Sequence, residues 1–300
     1  EEREDTKYDA FYEISDKWAA NQTISGPFIS VPYVKFIEER KKDNSVKIVK
    51  VRDYIQILPE RLDIKVNINP EKRYRGIYEV VVYESKLFLK GNFNNIDISE
   101  LGIEPENIHY ENATINLGIS DLKGLESQVS IRWNKSDLNF NSGVKNSDIV
   151  ASGIHTKAEK LDLGKLNEFS LNIDLKGSQK IYFMPLGKTT NVNLKSDWPS
   201  PSFIGAYLPD SRKIDEDGFS ANWNILHLNR NYPQFWKGTY NYLDESVFGV
   251  DLLISVDNYK KSDRVVKYAM LFLGLTFLVF FFVEALNNIF IHPIQYLLVG

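Results

Sequence analysis

The sequence predicts a mainly β protein: an antiparallel β-sandwich-like extramembrane domain, with an N-terminal amphipathic helix and a C-terminal transmembrane helix. Three observations point there. From Pro27 to about Asn258 apolar residues recur with period two, and helical periodicity is hard to find. The alternating runs are short and punctuated by Gly, Asn, Asp and Pro, with no interleaved helices, which is the pattern of antiparallel layers. Then, from Tyr268 to Val283, sixteen residues pass without a charge.

The elements follow in chain order. Tyr8, Phe11, Tyr12, Trp18 and Ala19 fall on one helical stripe, with Asp and Glu concentrated at its start, as a helix dipole prefers. This predicts a helix over 4–20, within an N-terminal segment 1–23 that closes before Gly26-Pro27. The first twenty residues are charged and hold no apolar signal-peptide core, so an exported domain requires a signal or anchor upstream of Glu1.

The β region is placed at 24–258. Leu62, Ile64, Val66 and Ile68 alternate with Asp63, Lys65 and Asn67, a strand with one wet face. Similar runs appear at Ile77–Tyr83, Leu87–Phe93, Ala113–Ile119, Val129–Trp133, Phe169–Leu175 and Phe219–Ile225. Gly91-Asn92, Asn134 and Asp217-Gly218 read as punctuation between them. Only Asn95–Leu101 and Tyr232–Asp244 leave room for short helices or turns. The tetrapeptide Asp-Leu-Lys-Gly occurs twice, at Asp121–Gly124 and Asp174–Gly177. Two turns of the same chemistry explain it more simply than duplicated half-sandwiches.

A hydrocarbon core of about 30 Å takes about twenty helical residues. Val265 to Leu286 meets that length, with Lys267 able to snorkel at one end, and the membrane helix is placed at 264–286. After Asn287-Asn288 the apolar character resumes, so 289–300 reads as the start of a second, truncated transmembrane helix.

The chemistry is mostly excluded. A net charge of −4 argues against a nucleic-acid partner, which needs Lys and Arg in excess. Zero Cys removes disulfides, Cys-ligated zinc, iron–sulfur clusters and cysteine nucleophiles. His109, His155, His227 and His292 lack the spacing of a metal site. There is no dinucleotide fingerprint, P-loop or nucleophile elbow, so no catalytic residue, metal or cofactor is assigned.

What the chain does carry is a set of dense local words. They are Gly26-Pro27-Phe28-Ile29-Ser30-Val31-Pro32-Tyr33, Tyr74-Arg75-Gly76-Ile77-Tyr78-Glu79-Val80, and Trp198 through Pro209. Gly218-Phe219-Ser220-Ala221-Asn222-Trp223, Asn229-Arg230-Asn231 and His292-Pro293-Ile294-Gln295-Tyr296 complete the set. With the order of domain then span, these words resemble the inner membrane protein CreD family over nearly the whole chain. The resemblance implies a membrane anchor before a large periplasmic β domain, further helices after it, and a place in the bacterial inner membrane. It also implies a role in cell-envelope integrity and stress response. It supplies no catalytic residue.

The same words have a physical reading. Two prolines in Trp198-Pro-Ser-Pro-Ser-Phe fix φ and remove backbone donors, so the segment is extended and irregular. Trp198, Phe203, Tyr207 and Trp223 either rim a groove for an envelope component or plug a core. Arg75 and Arg230 are either recognition residues or partners of nearby carboxylates. These six form the candidate ligand or partner surface. Two function classes stand: a non-catalytic domain that senses or scaffolds envelope components or membrane proteins, and a membrane-tethered periplasmic enzyme acting on cell-wall or lipid substrates. The lipid bilayer is the expected partner of the apolar helix. The orientation of the span has two readings. Lys260, Lys261, Arg264 and Lys267 crowd the domain side of the span, which by literal positive-inside counting puts the β domain in the cytoplasm. The resemblance puts it in the periplasm, and large translocated domains escape the count.

Overall fold

In the computed structural model of the protein, residues 11–40, 46–76, 78–94, 96–240, 243–254 and 258–287 are described. The alternating runs become strands: β1 (Gln22–Arg40), β2 (Val46–Ile57), β3 (Arg61–Arg75), β4 (Tyr78–Phe93), β5 (Thr114–Ile119), β6 (Ser130–Trp133), β7 (Ser136–Asn139), β8 (Asn141–Ser142) and β9 (Gly153–Lys157). Then come β10 (Asn167–Ser178), β11 (Lys180–Met184), β12 (Thr189–Ser196), β13 (Pro201–Gly205), β14 (Ser211–Asp215), β15 (Gly218–Leu226), β16 (Phe235–Lys237) and β17 (Phe248–Leu252). Helix α1 covers 11–18 and helix α2 (Asn258–Asn287) closes the described chain. The chain divides into two units, Glu1–Leu253 and Ile254–Gly300.

The mainly β class holds. The strands form two sheets. The first runs β13-β17-β11-β1-β5-β9-β8, with β2 beside the outer half of β1 and β16 beside β2. The second runs β14-β15-β12-β3-β4-β10-β6-β7. They are mixed rather than purely antiparallel, because β1 pairs β11 and β3 pairs β12 in parallel. Both parallel partners lie more than a hundred residues apart in sequence, which gives the chain room to return in the same direction.

Period two explains the second sheet directly. Leu62, Ile64, Val66 and Ile68 on β3, Leu87 and Leu89 on β4, Leu171, Ile173 and Leu175 on β10, and Val192 and Leu194 on β12 are all buried on one face. Their neighbours face solvent. The first sheet is different: every residue of β5 is buried, so both faces are covered. One face meets the second sheet. A further apolar cluster joins Phe28, Leu58, Ile149, Met184, Leu186, Tyr232, Trp236 and Leu243, which brings the segments around 149 and 232–243 onto the first sheet.

Several local expectations are corrected. Gly26-Pro27, joined by a cis peptide, lies inside β1, which already begins at Gln22 within the segment 1–23 expected to be helical, and the pairing with β5 shifts register there. Gly91-Asn92 is not a turn. It sits within β4, paired with β3 on one side and β10 on the other, because a Cβ at Gly91 would drive into the Arg61 carbonyl. The two Asp-Leu-Lys-Gly words adopt different structures: the first is a 3-10 turn capped by Asp121, while the second is mid-strand in β10. They lie side by side, since Gln22 Nε2 donates to both the Asp121 and Lys176 carbonyls at 2.9 Å.

The N-terminal helix and the β3–β4 hairpin tip lean together, with Trp18 Nε1 donating to the Tyr83 carbonyl. The expected helical start at 4–10 and the apolar stretch 289–300 lie outside the described residues. In the second unit, α2 contains Tyr268–Leu286, nineteen residues of mean hydropathy 2.3 with none of that window buried inside the molecule. By length and composition it suits a bilayer crossing. Its one threonine in this window, Thr276, donates its hydroxyl to the Phe272 carbonyl one turn back at 2.8 Å.

Candidate functional site

The sequence-selected aromatics separate into a packed group and its edge. Trp223, on the inner face of β15, is 2% exposed and packs its ring 5.5 Å from Phe248 of β17. Phe203 of the edge strand β13 meets Trp223 at 5.8 Å and Phe219 at 5.9 Å, both edge to face. Tyr207 joins through Phe248, receives a hydrogen bond from Trp223 Nε1 on its carbonyl, and donates its own hydroxyl to the Asn229 carbonyl at 2.7 Å. Burial raises the Tyr207 hydroxyl pKa. Phe203 and Tyr207 remain half-buried, with the Arg212 guanidinium over the Phe203 ring. Trp198 is buried apart from this group, its indole N–H donating to the Leu253 carbonyl at 2.9 Å, where β17 ends.

The two arginines take different roles. Arg75 stands at the tip of the β3–β4 hairpin and pairs with Glu13 of α1 at 2.8 Å. Arg230 is 8% exposed, and among the described residues its hydrogen-bond partners are carbonyl oxygens rather than carboxylates. Its guanidinium donates to the Tyr232 carbonyl at 2.7 Å, to Gln234 Oε1 at 2.5 Å and to the Leu186 carbonyl at 3.3 Å. It stacks 4.2 Å from the Tyr232 ring centre. Burial lowers its pKa. The structure thus unites Phe203, Tyr207 and Trp223, adds Arg230 at their border through Asn229, and leaves Trp198 and Arg75 elsewhere.

The sequence reading missed the solvated face of the second sheet. Register places Asn222, Asn193, Lys65, Phe88 and Asn172 in one row across β15, β12, β3, β4 and β10. The adjacent row begins Asn224, Asn191, Asp63. Asn224 Nδ2 donates to Asn191 Oδ1 at 2.5 Å, and Asn191 Nδ2 donates to Asp63 Oδ1 at 2.7 Å. Asn193 Nδ2 donates to Asn222 Oδ1, and Asn222 Nδ2 donates to Ser211 Oγ at 3.1 Å. Open grooves flank this ladder: one of about 530 Å³ by Asn67, Lys195 and Lys213, another of about 470 Å³ by Arg61, Asn92 and Thr189. The signal was in the sequence as Asn at alternate positions, Asn191/Asn193 and Asn222/Asn224.

Charges on the first sheet are ordered by pairing. Burial alone would raise the Asp53 carboxyl, but hydrogen bonds from Lys35 and the Tyr54 N–H, with Tyr33 Oη at 3.2 Å, hold it below its ordinary value. Burial and the facing Asp53 push Tyr33 up to about 12. Asp251 on β17 shows the reverse: burial raises its pKa, and Lys180 at 3.7 Å only partly offsets this. Among the described residues no group of three or more His, Asp or Glu could hold a metal ion.

The family described as inner membrane protein CreD matches residues 1–300. The inner membrane protein CreD of Escherichia coli (strain K12) is 31% identical over 303 residues, covering 100% of this chain and 66% of that protein. The chain therefore spans somewhat less than two thirds of that relative's length. Among solved structures, an M1 zinc metallopeptidase from Deinococcus radiodurans aligns over 56% of this chain and 39% of its own at 8% identity, with a TM-score of 0.26. A yeast LTA4 hydrolase aligns over 66% of this chain and 29% of its own at 10% identity and TM-score 0.24. At those scores neither bears on fold or activity.

Proposed function

Since the chain belongs to the CreD family of inner membrane proteins, we propose that its β unit is a non-catalytic periplasmic domain that senses or scaffolds envelope components for cell-envelope integrity under stress. The observation that carries this is the form of its concavities. Both grooves lie open along the solvated surface of the second sheet. A small-molecule site generally encloses its ligand, whereas a broad polar sheet face suits an extended macromolecule. The aromatic and cationic side chains most suited to site chemistry support the same reading: Trp198, Trp223 and Arg230 hold the fold. Within this reading the half-exposed rings of Phe203 on β13 and Tyr207 just after it form a further contact rim, packed with Trp223 and Phe248. Arg75 belongs to the separate hairpin tip. The bilayer is the partner of α2.

Protease added to spheroplasts tests the orientation, and photo-crosslinking from the β unit in intact cells tests the role. The expected result is cleavage of the β unit from outside and crosslinks to envelope components. A β unit that resists external protease yet is cut after lysis overturns the reading.

A further inference from the structure

We propose that the Asn ladder on the second sheet is a binding track for a linear, N-acetylated cell-wall glycan. The inference rests on the periplasmic reading above and names the component bound. Asn is among the residues depleted in β-strands, more so than Lys or Glu, while Thr is enriched. Here Asn172, Asn191, Asn193, Asn222 and Asn224 face solvent on three strands of one sheet. Solubility does not call for five amides in one patch.

Each amide offers donors and an acceptor on one planar group, which matches a sugar hydroxyl or acetamido group, itself donor and acceptor. The Asn224–Asn191–Asp63 chain and the Asn193–Asn222–Ser211 chain hold four of these amides in fixed rotamers before any ligand arrives. Fixed rotamers lower the ordering cost of binding. Phe88 lies in the same row, half-buried between Lys65 and Asn172, and presents an apolar face on which a pyranose ring can rest. Charges on this face are mixed in sign: Arg61 sits against Asp63, Lys90 faces Asp63 and Lys86 faces Asp174 in the flanking rows, and Lys65 and Lys195 add two cations, so the amides form the uncharged part of the surface. The track also has length. From Asn222 to Asn172 the row crosses five strands, four inter-strand steps or about 19 Å, enough for several sugar units.

The test is co-sedimentation of the detergent-solubilised full chain with protein-free peptidoglycan sacculi, with an insoluble glucose polymer lacking acetamido groups as the second arm. Binding to sacculi and not to the glucose polymer is expected. Phe88→Ala and Asn193→Ala are each expected to lower the affinity about tenfold, while Tyr74→Ala at the remote hairpin tip leaves it unchanged. Asn222→Gln, which keeps the amide but moves it by one methylene, is expected to weaken binding with an unaltered melting temperature, separating recognition from folding. Failure to sediment with sacculi, equal binding to both polymers, or binding indifferent to all three ladder variants overturns the glycan assignment. Those outcomes leave the scaffolding role standing if crosslinks to envelope proteins persist. A cytoplasmic β unit in the spheroplast assay instead overturns the role itself.

Discussion

Arg230 carries a full charge into the protein and meets carbonyl oxygens there. Truncating it removes three good donors at once and strands the oxygens of Tyr232, Gln234 and Leu186. Arg230→Ala is therefore expected to cost about 3 kcal/mol in chemical denaturation. Arg230→Lys is expected to recover little, since a point charge cannot reproduce the planar fork. Two carboxylates give opposite pH behaviour. Asp53 has a folded pKa below its unfolded one, so it stabilises above the unfolded value and loses that contribution as pH falls through the folded value. Asp53→Asn should lower the melting temperature at pH 7, the deficit closing below about pH 4. Asp251, with its folded pKa raised, favours the fold when protonated and loses that contribution as pH rises through its folded pKa. Asp251→Asn should raise the melting temperature at pH 7 and change nothing in acid. Melting curves of both variants from pH 3 to 8 check the pair. None of this was legible in the sequence, where any single Asp reads as solvated. The carboxylate partner expected as one reading of Arg75 is found in Glu13, but the carbonyl cage of Arg230 depends on chain segments more than forty residues apart.

At the level of elements, alternation located strands well and joined them poorly. The runs that cover Tyr78 to Tyr83 and Leu87 to Phe93 belong to one long strand, because pairing with β3 and β10 continues across Glu84, Ser85 and Lys86 between them and on through Gly91. Glycine there is a packing requirement rather than a break. Gly91→Ala is expected to destabilise by roughly 3 kcal/mol, read from urea midpoints, since the new methyl meets the Arg61 carbonyl and the Phe169 ring. An unchanged midpoint would show that β3 can give way. The Asp-Leu-Lys-Gly pair teaches the same lesson from the other side. Asp121 caps a turn because the chain ends a sheet strand there, while Asp174 is held in a ladder by Lys86 opposite. Identical local words take the structure their neighbours impose. The two parallel pairings were illegible for a related reason, as nothing local encodes a partner more than a hundred residues away.

For the whole molecule, the division at Leu253 and the apolar window at Tyr268–Leu286 make separable claims. A fragment of residues 1–253 is expected to give a β-dominated circular dichroism spectrum and a single cooperative melt; a helix content above about a third would overturn the fold class. The full chain is expected to stay in the membrane pellet after alkaline carbonate, whereas the fragment is released. The entry and exit of the β unit meet at one place. Ser178 binds the Ala19 and Ala20 carbonyls, Gln179 accepts from the Leu252 N–H, and Gln22 and Val250 flank Ile181 on either side. This has a mechanical consequence. Drawing the two ends sideways apart would peel β1 and β17 from β11 one hydrogen bond at a time, at low force. Drawing them together, against a load held at the far side of the sandwich, would shear the same ladders along their length and engage all their bonds at once. The domain is thus built to yield to lateral separation and to resist a pull along its strands.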